Sequence, residues 1–144
     1  MSFLNSMKIT ASALTAERFR IDVILQNLTN ASTTRTASGD PYRRKQVVFQ
    51  ERSVDFSSVL RDSTNRVSHG GVRVAEIIES QADFIPLYDP SHPDADEEGY
   101  VLYPNVNTTE ERIDLMAAST AYEANLTALG VVKSLALKAL EIGK

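Results

Sequence analysis

Residues 4–28 read LNSMKITASALTAERFRIDVILQNL. Within them Leu4, Met7, Ala11, Leu14, Arg18, Ile21, Leu25 and Leu28 recur at alternating spacings of three and four. That is the a/d line of a coiled-coil seam. Arg18 falls at an a position, where a charge weakens the seam but sets its register, because only alignments that give it a carboxylate or a route to water are allowed. A helix with so narrow a stripe is marginal alone, since most helical stability in proteins comes from burying the apolar face. The segment therefore predicts a helix that needs a partner.

The partner is at the other end of the chain. Leu115, Ala118, Tyr122, Asn125, Leu129, Val132, Ala136 and Leu140 follow one line, and Leu126, Leu135, Leu137 and Ala139 widen it. A stripe that wide exceeds what one neighbour covers, so the second helix is expected to touch the first on one side and further subunits on another, with a small globular bundle as the alternative. Ala117, Ala118, Ala121 and Ala124 permit close helix approach. Thr108-x-x-Glu111 has capping-box spacing and predicts a start near Thr109. The helix should run toward Ile142, with Gly143 as terminator and Lys133, Lys138 and Lys144 toward the carbonyl end of the dipole.

Between the helices, residues 29–41 are rich in Ser, Thr and Asn and contain Asp40-Pro41. Such residues compete for backbone hydrogen bonds and the step before proline disfavours helix, so the first helix ends here. Runs at 46–51, 72–79, 83–88 and 99–103 read as short strands. His69-Gly70-Gly71 supplies a turn before the second, and Pro86 confines the third to an edge. The expected fold is α+β: long amino- and carboxy-terminal helices pairing as a coiled coil, with a small antiparallel β-rich middle region. Its expected divisions are residues 1–35, 36–106 and 107–144.

A chain of 144 residues without cysteine can build one packed core but no disulfide framework and no thiolate metal site. The first residues have neither a basic leader nor an apolar stretch of secretory type, and no run is long and apolar enough to span a bilayer. Residues 1–52 carry eight Lys/Arg against four Asp/Glu, whereas no Lys or Arg lies between Arg73 and Arg112, where ten carboxylates fall. That balance repels nucleic acid and anionic lipid.

Candidate chemistry is sparse. Asp89, His92, Asp94, Asp96, Glu97 and Glu98 form an acidic loop that lacks the alternating carboxylates and central glycine of a calcium loop. His69 and His92 have no nucleophile at a useful spacing. Gly70-Gly71 lacks the Gly-Lys-Ser/Thr of a phosphate loop. Arg43-Arg44-Lys45 reads as a solvated loop or an inter-subunit salt bridge. No catalytic, cofactor-binding or metal residue is nominated, and an enzyme is not expected.

Residues 12–18, SALTAER, and 27–34, NLTNASTT, resemble the signature shared by the rod, hook and hook-associated subunits of the bacterial flagellum. Tyr88-Asp89-Pro90-Ser91-His92-Pro93-Asp94-Ala95 and Gly99-Tyr100-Val101-Leu102-Tyr103-Pro104-Asn105-Val106-Asn107 resemble a stretch peculiar to the proximal-rod members of that family. Pro41-Tyr42-Arg43-Arg44 fits too, and Tyr122-Glu123-Ala124-Asn125 is similar to the family's carboxy-terminal helix motif. Leu28-Thr29 departs from the more usual Ile-Ala, and Thr34 from a common Pro. The resemblance implies a structural subunit of the drive shaft that carries torque to hook and filament, assembling through both seams. It implies contacts with its own copies, other rod proteins, the inner-membrane ring and a rod-ring adaptor. It also implies passage through the type III export apparatus to the periplasmic rod of the basal body without a cleavable signal, with no nucleic acid bound and no membrane insertion. The competing reading is a soluble coiled-coil adaptor or secretion chaperone.

Overall fold

The structure, a computed structural model, describes residues 3–53 and 70–142. His69 and Gly143, where a turn and a helix terminator are expected, lie outside the described residues. Helix α1 spans Phe3–Thr29 and helix α2 spans Thr108–Ile142. Between them run β1 (Lys45–Glu51), β2 (Val72–Glu79), β3 (Ile85–Tyr88) and β4 (Tyr100–Tyr103). The fold is α+β, with the two terminal helices packed together and a small β middle region.

Side chains end α1 as the polar composition predicts. Asn30 donates its backbone N–H and its Nδ2 to the Gln26 carbonyl (3.1 and 2.8 Å), and the Thr29 hydroxyl donates to Leu25. These side-chain bonds compete with continuation of the helix at its last turn. The start of α2 differs from the expected capping box. Asn107 is the cap, its Oδ1 accepting from the N–H of Thr109 at 3.0 Å and, at 3.5 Å, of Glu110. Glu111 does not reach back to Thr108 but turns inward, because a buried cation and a buried amide claim its carboxylate.

The strands form two separate two-stranded sheets, β1–β2 and β3–β4. The break lies at 80–84, where the Ser80 and Ala82 carbonyls accept from Arg43 and Asn105 side chains and so leave no ladder to carry across. Strands β3 and β4 are antiparallel, with Ile85 opposite Tyr103 and Tyr88 opposite Tyr100.

Two compact units partition the chain. The first draws on Met1–Phe19, Val48–Glu76 and Ala118–Lys144, and buries Ser12, Ala16 and Ala118. The second draws on Arg20–Val47 and Ile77–Ala117, and its core holds Val23, Ile24, Tyr42, Val101, Pro104 and Val106 around Asn27 and Glu111. The fully buried line of α1 is therefore Ser12, Ala16, Val23, Ile24 and Asn27, rotated from the line of apolar spacing. Two of its members are polar, and hydrogen bonds rather than apolarity hold them inside.

Candidate functional site

In the second unit a buried polar knot ties α1, the segment before β1, and α2. All four hydrogen-bonding positions of the Asn27 amide are filled. Its Nδ2 donates to the Lys45 carbonyl (2.8 Å) and to Glu111 Oε2 (2.9 Å), while its Oδ1 accepts from the Tyr42 hydroxyl (2.9 Å) and the Lys45 N–H (3.0 Å). Arg44 Nε donates to the other oxygen of Glu111, and Arg44 Nη2 reaches Asp114 Oδ2 at 3.2 Å. Arg20 approaches the opposite oxygen of Asp114 at 3.9 Å. A buried carboxylate is tolerable only when paired and hydrogen-bonded, and Glu111, 1% exposed, is both. Burial pushes the Tyr42 hydroxyl up to about 12, with the negative charges of Glu111 and Glu79 adding to it.

Around this knot Asn105 Oδ1 accepts from the Arg44 N–H (2.8 Å), and Arg43 stacks 4.3 Å over the Phe84 ring. The Arg43-Arg44-Lys45 cluster is thus not a solvated loop: Arg44 is consumed inside the chain and Lys45 lies 5.5 Å over the Tyr42 ring. Sequence reasoning missed Asn27 and Glu111. The signal was available, since Glu111 extends the line of Leu115, Ala118 and Tyr122 by one step, and an acid in a seam calls for a buried cation.

In the first unit Ser12 clasps the start of β2. Its Oγ donates to the Ile9 carbonyl (2.7 Å) and accepts from the Val72 N–H (3.0 Å). Gly71 makes the approach possible: its φ is +111° and a Cβ there would lie 2.7 Å from Ser12 Oγ.

The acidic loop builds turns. Asp89 accepts from the Ser91 N–H and hydroxyl, which holds its carboxyl below the usual carboxylate range. Asp96 accepts from the N–H groups of Glu98 and Tyr100. Asp94 receives the Thr34 hydroxyl (2.8 Å) and Arg35 (3.5 Å). His92 Nδ1 accepts from the Asp94 N–H.

Of the residues read as seams, Leu4, Ala11, Arg18 and Leu25 are exposed on α1, whereas Met7, Leu14, Ile21 and Leu28 are half-buried. On α2 Ala118 is fully buried and Leu115, Tyr122, Asn125, Leu129, Val132 and Ala136 are half-buried, while Leu140 is 71% exposed. Further large apolar side chains stand in solvent on α2, among them Ile113, Met116, Val131 and Leu135. No helix among the described residues is long and apolar enough to cross a membrane.

Paired terminal helices with apolar outer lines are the frame of a structural subunit, and comparison with known proteins names the class. Residues 97–142 match the family model described as flagellar basal body rod FlgEFG protein C-terminal. Over its whole length the chain is 45% identical to the flagellar basal-body rod protein FlgC of Bacillus subtilis strain 168, which is covered completely. It is 42% identical to FlgC of Escherichia coli O157:H7, again over all of both chains. FlgC of Borreliella burgdorferi is 41% identical over 99% of this chain and 98% of the relative. The chain belongs to the FlgC family of flagellar basal-body rod proteins.

Proposed function

We propose that this chain is a non-enzymatic building block of the flagellar proximal rod, polymerising through its terminal helices into the shaft that carries torque to hook and filament. Full-length similarity to FlgC proteins supports the rod assignment and disfavours a soluble adaptor. The observation that carries the assembly reading is the apolar surface left on the helices: Leu4 at 67%, Met116 at 71% and Leu140 at 71% exposure. Apolar surface of that extent marks an interaction site. The interface residues are Leu4, Met7, Ala11, Leu14, Arg18, Ile21, Leu25 and Leu28 on α1, with Leu115, Ala118, Tyr122, Asn125, Leu129, Val132, Ala136 and Leu140 on α2. Residues 1–35 and 107–144 form the axial core, and 36–106 the β-rich middle region. Partners are its own copies, other rod proteins, the inner-membrane ring and rod-ring adaptor, with the type III apparatus exporting it to the periplasm.

The test is complementation of a flagellated host lacking its own rod subunit. Leu135→Asp combined with Leu140→Asp should abolish basal bodies and swimming while the purified chain keeps its far-UV spectrum, because both side chains are exposed. Motile cells with normal basal bodies would refute assembly through α2.

A further inference from the structure

The β3–β4 hairpin has an exposed apolar face. Directly opposed residues of an antiparallel pair share a face, so Pro86 with Leu102 and Tyr88 with Tyr100 stand on one side. All four are exposed, Tyr88 to 63% and Leu102 to 48%. The opposite side holds Val101, which is buried, beside Ile85 and Leu87, which are 52% and 51% exposed. Tyr88 and Tyr100 pack edge to face with centroids 5.3 Å apart, and Gly99, φ +84°, leaves room for this: a Cβ there would lie 2.9 Å from Tyr88 Cε2. The face is thus a preset pair of aromatic anchors, the kind of group that dominates binding energy.

The hairpin register says how a partner approaches. Asp89 donates to the Gly99 carbonyl, so the hydrogen-bonded pairs are Asp89 with Gly99, Leu87 with Val101 and Ile85 with Tyr103. Pro86 and Tyr88 therefore turn their backbone toward the open edge. Proline there removes a donor and discourages strand addition. The partner lies on the face and not along the edge.

Charge chooses the occupant. Glu97 and Glu98, at the loop end of this face, are exposed and form no ion pair among the described residues. Asp96 stands beside them. A complementary surface is apolar with interleaved cations, about 13 Å long, the span of four strand residues. The outward line of α1 has that composition: Leu4, Lys8, Ala11, Thr15 and Arg18 are all exposed, and neither Lys8 nor Arg18 forms an ion pair among the described residues. Leu4 to Ala11 covers roughly 11 Å of helix. We infer that the Pro86–Tyr88–Tyr100–Leu102 face docks on the Leu4–Arg18 line of a second copy of this chain. Such a contact joins two different patches, so it repeats head to tail and propagates around a ring or along a helix. It rests on the rod-subunit reading and adds which surfaces of neighbouring copies meet.

The absence of cysteine makes a clean test. Full-length Leu102→Cys and Ala11→Cys chains are expressed together, and each alone, in the host lacking its own rod subunit. Basal bodies are isolated, oxidised and run without reductant. A disulfide closes only when two Cα atoms approach within about 7 Å, so co-expression should give a dimer band roughly tenfold above either chain alone. Adding Lys8→Glu to the Ala11→Cys chain, or Glu98→Lys to the Leu102→Cys chain, should cut that band roughly three- to fivefold, and both together should restore it. Normal basal bodies without a co-expression-dependent band overturn the inference and leave the rod reading standing. So does a Leu102→Cys adduct formed only with a different protein. Unmodified chain that never enters basal bodies overturns both.

Discussion

Replacing Glu111 by Ala strikes a point where α1, the segment before β1 and α2 share a side chain. The carboxylate is 1% exposed and accepts from both Asn27 and Arg44. Its removal leaves the Arg44 side chain, 20% exposed, with Asp114 as its remaining acid at 3.2 Å. Breaking a buried pair by deleting one partner costs about 3–5 kcal/mol. Asp114 and partial solvent access bring this to the lower end, about 3 kcal/mol, and the stranded Asn27 N–H adds about 1 kcal/mol. Against a total of roughly 5–15 kcal/mol, that is a large share. Urea unfolding followed by far-UV circular dichroism should show the loss, with a melting temperature lower by roughly 10 °C. The partner variant Arg44→Met closes a double-mutant cycle. If the pair is coupled as its geometry says, Glu111→Ala with Arg44→Met is less damaging than the two single losses summed, by about 2 kcal/mol. A Glu111→Ala loss below about 1 kcal/mol, or strict additivity, would refute the reasoning.

Other consequences follow from the same structure. Because the folded state raises the Tyr42 hydroxyl from 10.0 to about 12, it holds that proton longer than the unfolded chain does, so the Tyr42 contribution is whole below pH 10 and disappears as pH rises to about 12. An ultraviolet phenolate titration should show one late step that is absent in Tyr42→Phe. Gly71→Ala places a Cβ against Ser12 Oγ at a φ of +111° and should destabilise by about 1–3 kcal/mol, whereas Gly39→Ala, with open space at φ +95°, should stay near the lower figure; thermal melts separate them. Asn107→Ala removes the α2 cap and should cost about 1 kcal/mol in chemical unfolding, and Thr108→Ala should cost less, since its hydroxyl is not the cap.

The helices and strands were legible because their periods are strong. The line on α2 from Leu115 to Ala136 coincides with its less exposed side. On α1 apolar spacing pointed to one line while the chain buries another. Ser12 and Asn27 are inside because each meets specific backbone groups, Val72 N–H for one and Lys45 for the other, and hydropathy carries no trace of such partners. The same blindness affected Thr108 and Glu111, whose spacing fits a box that a distant Arg44 dismantles. Pattern reading scores neighbours along the chain, and these contacts join residues 18 to 67 apart.

The Asn27–Glu111 bond spans 84 residues, and each compact unit combines stretches that lie far apart in the chain. Neither unit has all its parts until synthesis has entered α2. The polypeptide leaving the ribosome thus stays open for most of its length and then closes late, in a search dominated by long loops, which makes folding slow relative to a locally wired helical protein. A truncation just before Thr108 removes material from both units at once, so the loss is all-or-none and not a trimmed version of the native fold.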